Sequence, residues 1–269
     1  MTSFVFQAGD FMRAEKTAVR HALFWLGDAT QQETLVLSYD EVANHPHDLM
    51  GRAPVGTVEF CTLLMRRNKI KPPEAMSYPD PLRSYLGREI QLRAFSKVPD
   101  GWFIKPTSTK LFDGHLKGEG KELGSGYRIV VQNDDQVWCA PPVKFRSEFR
   151  YYILRGEITG YSRYDDGADN APEPDRGLVE DAVRNFCIAR VPVGFVLDFG
   201  VTWEGDTLLI EANDGWALGY YPWGTMKDEA YMNLILARWA EIEASGKRAG
   251  AGGAAVTIQA IEKHGAPTK

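Results

Sequence analysis

A chain of 269 residues with 44% hydrophobic and 25% charged side chains carries enough apolar material for a sizeable core, which excludes disorder as the default. Its formal net charge of -5 and pI near 5.6 oppose a general attraction to nucleic acid or to an anionic membrane, so neither is expected as a partner. Cys61, Cys139 and Cys187 are odd in number and form no CxxC, no apolar run approaches the ~20 residues that span a bilayer, and no basic segment precedes a long apolar one at the start, so a cytoplasmic protein is expected.

In chain order, the apolar runs SFVFQ (3–7) and TLVLSY (34–39) flank RAEKTAVRHALFWLG (13–27), where Ala18, Ala22, Trp25 and Leu26 recur at helical spacing. Strand, helix, strand is predicted: a small α/β lobe. GTVEFCTLLMRRNKI (56–70) predicts a second amphipathic helix, and the proline-rich KPPEAMSYPDP (71–81) then stops regular structure, which places a lobe boundary between Pro72 and Tyr78. LRSYLGREI (82–90) reads as helix, WFIKP (102–106) as a buried strand ending at proline, and 127–137 as further strand beyond a glycine-rich, charged loop. Residues 145–164 and 193–213 each predict a β-hairpin, with tight turns at Gly156 and Gly205 and a helical pattern between them. A closing helix over 228–244 carries Leu234, Ile235, Trp239 and Ile242 on its apolar face, and GKRAGAGGAA after Ser245 reads as a flexible tail. The organisation is an α/β lobe over 1–75, α+β lobes over 76–140 and 141–245, and a tail over 246–269.

Several familiar motifs are missing. GEGKELGSG (118–126) fits neither GxxxxGK[ST] nor GxGxxG, so a Walker-type phosphate loop is not indicated. His45 and His47 straddle Pro46 without a matching carboxylate motif, and no GxSxG elbow supports acyl-enzyme chemistry.

VGFVLDFGVTWEGDTLLIEANDGW (193–216) is the most informative stretch. In a strand Glu211 and Asn213 share a face while Ala212 faces away. With Glu204 and Gly205 as the turn, Asp198 lies opposite Glu211; with Gly205 and Asp206, opposite Asn213. Either register gathers two carboxylates and an amide on one face, whereas a one-residue slip sends Asp198 to the other. Facing carboxylates repel unless a cation compensates, and a hard, oxygen-seeking ion such as Mg2+ suits this sparse set. The alternative is a solvated acidic face.

Lys105 stands at the end of the WFIKP strand, where its ammonium can neutralise phosphate oxygens, and Lys110 offers a second cation. In FRSEFRYYILRGEITGYSRY (145–164), a turn at Arg155 and Gly156 puts Glu148, Arg150 and Tyr152 on one face, with Arg150 opposite Tyr161 and Glu148 opposite Arg163. Arg150 can fork onto phosphate or carboxylate oxygens; the competing reading is a cross-strand ladder of ion pairs. VWCAPPV (137–143), with two prolines and no regular period, reads as a hinge on which adenine can stack against Val137, Trp138 or Leu197. Arg52, Arg88, Trp216, Tyr220, Tyr221 and Trp223 are candidate substrate-pocket residues.

The order FIKP, glycine-rich loop, VWCAPPV, SEFRYYILRGEI, VLDFGV and IEANDGWALGYY resembles the ATP-grasp superfamily from about Ser77 to Trp239. It is most similar to the clade named for an arginine-to-lysine replacement, in which a KxFTG-like segment follows the lysine strand, as TKLFDGH (109–115) does here. The resemblance implies an α+β fold in which two lobes clamp ATP behind a Rossmann-like lobe. It implies Lys105 on the phosphates, VWCAP as adenine hinge, and Asp198, Glu211 and Asn213 as magnesium ligands. It also implies an ATP- and Mg2+-dependent carboxylate-amine ligase that works through an acylphosphate on an amino acid or peptide, with Arg150 stabilising charge and the loop from Gly114 to Gly126 closing over the phosphates. A phosphotransferase or a non-catalytic nucleotide-binding module on the same fold is the alternative. The second phosphate lysine of most ATP-grasp enzymes has no single counterpart; Lys110, Lys121 and Lys144 compete.

Overall fold

The computed structural model describes residues 3–27, 34–108, 112–119, 131–167 and 170–250. Three sheets organise them. β1 (Ser3–Gln7), β2 (Leu35–Leu37) and β3 (Arg52–Val55) form a parallel sheet in the order β2-β1-β3, accompanied by α1 (Arg13–Trp25), α2 (Tyr39–Asn44) and α3 (Val58–Arg67). Phe4, Val5 and Phe6 are wholly buried, as a central parallel strand covered on both faces requires. β3 carries Pro54, which an edge strand tolerates because no ladder partner needs its missing N–H. The short α2 starts with a capping box: the Glu41 N–H donates to Ser38 Oγ at 3.2 Å and the Ser38 N–H to Glu41 Oε2 at 2.7 Å. α1 corrects one expectation. Its buried face runs through Ala18, Val19, Ala22 and Leu23, while Trp25 and Leu26, at the helix end beyond the sheet, are 79% and 52% exposed.

The middle lobe is an antiparallel sheet of β4 (Gln91–Ala94), β5 (Phe103–Pro106), β6 (His115–Leu116) and β7 (Gln136–Ala140), ordered β4-β7-β5-β6. The helix expected over 82–90 is only a 3-10 turn, Asp80–Tyr85, and the chain then extends into β4. Gly87, at φ 59°, takes the left-handed position that ends helices. Of the strand expected over 127–137, residues 127–130 lie outside the described residues, 131–135 form loop and turn instead, and β7 starts only at Gln136. VWCA is therefore regular strand, and the irregular link is confined to Pro141, Pro142, Val143 and Lys144.

The third lobe is an antiparallel sheet of β8 (Phe145–Leu154), β9 (Glu157–Arg163), β10 (Gly194–Thr202) and β11 (Thr207–Asp214), ordered β11-β10-β8-β9. Its two faces have different fates. Phe149, Tyr151, Ile153, Phe195, Leu197 and Phe199 meet Val179, Val183 and Phe186 of α4 (Arg176–Cys187), together with Tyr78, Leu82 and Leu86. At ~1.5–3 kcal/mol for each fully buried aliphatic or aromatic side chain, this core anchors the sheet. On the other face Tyr152 and Val196 pack beneath α5 (Asp228–Gly250) and join the N-terminal lobe's core, while the rest of that face opens into a cleft. Leu234, Ile235, Trp239 and Ile242 are buried as expected, but α5 runs on to Gly250, past the start assigned to the tail. No helix of the described residues is long and apolar enough to cross a membrane.

Candidate functional site

β10 is buried along all nine residues, and Asp198, its one ionisable residue, is 1% exposed. A carboxylate held there is costly unless it is paired and hydrogen-bonded. The Arg150 guanidinium, directly opposite on β8, donates to it through two nitrogens: Nε to Oδ1 at 2.9 Å and Nη2 to Oδ2 at 2.8 Å. On the other side of β10, Asp198 faces Glu211. Asn213 Nδ2 bridges the two carboxylates, at 3.2 Å from Asp198 Oδ2 and 2.7 Å from Glu211 Oε1, and Lys105 Nζ donates to Glu211 Oε2 across the lobes. Five of the polar residues read from the sequence, Lys105, Arg150, Asp198, Glu211 and Asn213, therefore meet in one cluster.

The pairing of Asp198 with Glu211 has an unforeseen origin. Next to the turn, Val201, Gly200 and Phe199 pair with Thr207, Leu208 and Leu209, one residue out of step with a two-residue turn at Glu204 and Gly205. Continued unbroken, that ladder would set Asp198 opposite Ile210. A β-bulge at Ile210 restores the frame. In the other hairpin a bulge between Tyr152 and Ile153 is not offset in this way, so Arg150 faces Ser162 rather than Tyr161, and Arg163 faces Phe149 rather than Glu148. Arg163 instead grips Asp165, at 2.8 and 2.6 Å, and holds its carboxyl down at about 2, helped by the Glu148 and Gly167 N–H groups.

The cleft between the lobes has a volume of about 720 Å³, and Lys105, Glu148, Arg150, Glu211 and Asn213 all line it. Aromatic rings surround its two cations. Tyr78 lies under Lys105, its ring centroid 5.3 Å from Nζ, and Tyr164 and Tyr221 stack on one another beside Arg150. Nothing in the sequence singles out Tyr78 and Tyr164 for the site, whereas Tyr221 is already a candidate pocket residue; Tyr78 and Tyr221 line the cleft. Of the candidate pocket residues, Arg88, Trp216 and Tyr221 line the cleft; Tyr220 is buried away from it, Trp223 is 85% exposed, and Arg52 lies in β3. Pro141, Pro142 and Val143 also line it, but the side chains proposed to stack on adenine do not. Val137 and Leu197 are locked into two separate cores because strand alternation turns them from the face that carries Lys105 or Asp198; Trp138, level with Lys105, is edge-on to Tyr78 at 5.4 Å and sits behind it. Lys110, Lys121 and the loop's second half lie outside the described residues, and Lys144 is exposed in the interlobe link.

Electrostatically the site is a buried network of opposite charges. Burial pushes the Asp198 carboxyl up, against the pull of Arg150. Burial works on Glu211 in the same sense, but Lys105 and Asn213 overcome it and hold that carboxyl below its ordinary value. Burial also raises Glu148, whose carboxyl bonds the Tyr164 hydroxyl. Among the described residues no three His, Cys, Asp or Glu side chains cluster as a metal site, so any divalent ion here would rely on two carboxylates and one amide oxygen. That donor set fits magnesium, which commonly takes one or two carboxylates and leaves its other positions to water and phosphate. Turning the Asn213 amide over would present its oxygen between the carboxylates, where its nitrogen now sits.

Two antiparallel lobes closing on a cleft, with a lysine from one facing an arginine and a carboxylate pair from the other, define an ATP-grasp protein. The model for the ATP-grasp domain of the arginine-to-lysine clade, family 2, matches residues 85–233, more than half of the sequence, and the chain belongs to that family. Similar solved folds include a D-alanine–D-alanine ligase from Bacillus anthracis complexed with ATP (TM-score 0.54, 12% identity, 91% of this chain and 98% of that one). A RimK domain ATP-grasp protein from Sphaerobacter thermophilus reaches 0.50 at 13% identity, over 89% of this chain and 98% of that one. N5-carboxyaminoimidazole synthetase from Staphylococcus aureus also reaches 0.50, at 9% identity over 88% and 77% of the two chains. At such identities the likeness is one of fold. No curated protein matches the sequence.

Proposed function

We propose that this chain is an ATP- and magnesium-dependent ligase that activates a carboxylate as an acylphosphate and passes it to an amine or related nucleophile, with amino acids or peptides as the substrate class. One observation carries the reading: Asp198, Glu211 and Asn213 converge on one face of a buried β-ribbon, opposite the cations Lys105 and Arg150, at the wall of a cleft between lobes. As described, the two cations cap the carboxylates. Both are also the groups a triphosphate needs, so binding exchanges ion pairs within the protein for Lys105 and Arg150 on phosphate oxygens and frees the carboxylates for a metal. Magnesium bound there supplies charge neutralisation on the phosphates as the γ-phosphoryl group transfers.

The chain's own groups do the positioning. Lys105 and Arg150 reach the cleft from the two lobes, and Gly219 leaves room beside Arg150 Nη1 and Tyr221 that a Cβ would crowd. At the hinge Pro141 and Pro142 have no N–H, so the donors left for a base edge are those of Val143 and Lys144. The substrate carboxylate attacks the γ-phosphorus to give acylphosphate and ADP; the amine then attacks the acyl carbon and expels phosphate, with loss of one proton. The D-alanine–D-alanine ligase that shares the fold is complexed with ATP, which supports a nucleotide in this cleft. Incubation with Mg-ATP and pooled amino acids and amines, followed by mass spectrometry, tests the reading. ADP release that needs both an acid and an amine, with a condensed product, is expected. A stable phosphorylated hydroxyl product would mark a phosphotransferase, and hydrolysis indifferent to every acid would remove the ligase.

A further inference from the structure

Arg88 lies in the cleft wall, 121 residues from the strand it touches, and burial lowers its pKa without a carboxylate to compensate. Its hydrogen bonds go to main-chain oxygens: Nη1 donates to Leu86 O at 2.8 Å and Leu209 O at 2.9 Å, and Nη2 donates to Ile210 O at 3.2 Å. Successive carbonyls of a regular strand point to opposite edges, so one guanidinium can take both Leu209 O and Ile210 O only where the strand is bulged. Ile210 is the bulged residue. Two further features bring Arg88 there. Gly87 packs so closely on Leu208 that any Cβ at 87 would overlap it, and the Ala212 N–H is held by Ser77 O at 2.9 Å on the far side of the bulge. The outer edge of β11 is thus fastened on both flanks of Ile210 by the segment 77–88.

We propose that Arg88 is a positioning residue that clamps the β11 bulge at Ile210 and so seats Glu211 opposite Asp198. Without the bulge the ladder set by Phe199 and Leu209 would bring Ile210 opposite Asp198 and turn Glu211 toward Leu197, in the apolar core. The cost of burying Glu211 there prevents an outright slip. Loss of Arg88 therefore loosens the bulge, and the carboxylate pair loses definition while the fold persists. Arg is required because a planar fork can hold two oxygens at once, and a lysine ammonium on a flexible stem cannot fix that geometry.

The inference rests on the metal-nucleotide reading of the site but is tested separately from it. Arg88→Met and Arg88→Lys are compared with the wild-type chain by amide hydrogen exchange without ligand, and by Mn2+ titration, followed by electron paramagnetic resonance, in the presence of a non-hydrolysable ATP analogue. Exchange in residues 209–213 is expected to accelerate in Arg88→Met. The Mn2+ Kd is expected to rise about tenfold or more, as on removal of other outer-shell supports of metal ligands. Arg88→Lys should fall between, with the same melting temperature as wild type, and it carries the test if the methionine variant does not fold. Unchanged exchange together with Mn2+ affinity within about twofold of wild type in Arg88→Lys or Arg88→Met would overturn the proposal. A wild-type chain that binds no Mn2+ and nucleotide would defeat the functional reading instead, and the exchange experiment would still judge the clamp.

Discussion

Replacing Asp198 by Asn leaves the shape of the site almost unaltered and removes one buried charge. Asp198 and Arg150 have side chains only 2% and 12% exposed, so the guanidinium left behind keeps a single weak acceptor in a place that water hardly reaches. Removing one partner of such a pair costs about 3–5 kcal/mol, and the remaining amide oxygen argues for the lower figure. For a chain of this size about 3 kcal/mol corresponds to a melting temperature lower by roughly 6–12 °C. Thermal unfolding followed by circular dichroism provides the first readout. The second is ligand stabilisation: at a hundred times its Kd, Mg-ATP should add about 2.7 kcal/mol to the wild type, and Asp198→Asn should lose most of that increment. A variant that melts within about 2 °C of wild type would refute the buried-pair argument. Full retention of the Mg-ATP increment would refute the assignment of Asp198 as a metal ligand.

Further outcomes follow from the same geometry. Lys105→Met should weaken ATP binding about ten- to a hundredfold by calorimetry, the value of a charge-assisted bond, and an unchanged Kd would remove Lys105 from the phosphates. Asp165 has its folded-state pKa lowered to about 2 from 3.8, so its stabilising effect is present above 3.8 and is lost as pH falls toward 2. The melting-temperature gap between wild type and Asp165→Asn should therefore be widest above about pH 4 and narrow below it; a gap that persists at low pH contradicts the Arg163 pairing.

The parts of this protein that were legible in its sequence are those governed by local period. Strand alternation alone put Glu211 and Asn213 on one face, helical spacing exposed the buried stripe of α5, and the proline-rich segment before Tyr78 marked the end of the first lobe's helices. Bulges were not legible, because an extra residue in a strand leaves no mark on composition. In β10 and β11 a longer turn and a bulge cancel, so Asp198 meets Glu211 as the simplest register has it; in β8 and β9 one bulge acts alone and moves Arg150 from Tyr161 to Ser162. Nor could periodicity say that Val137 and Leu197 point into cores, since which face of an apolar strand is covered depends on helices packed from elsewhere. Contacts between lobes were equally hidden. Lys105 to Glu211 and Arg88 to Ile210 join residues 106 and 122 positions apart, and only the closed fold brings them together.

In the proposed complex Glu211 and Asp198 hold a divalent ion that ties ATP to the third lobe. Calorimetric titration of ATP into the wild-type chain, with Mg2+ and then with EDTA, tests it most directly when repeated on Glu211→Gln. Binding should be at least about tenfold tighter with Mg2+ in the wild type, and the difference should vanish in the variant. Equal affinity with and without Mg2+, or the same Mg2+ dependence in Glu211→Gln, would contradict it.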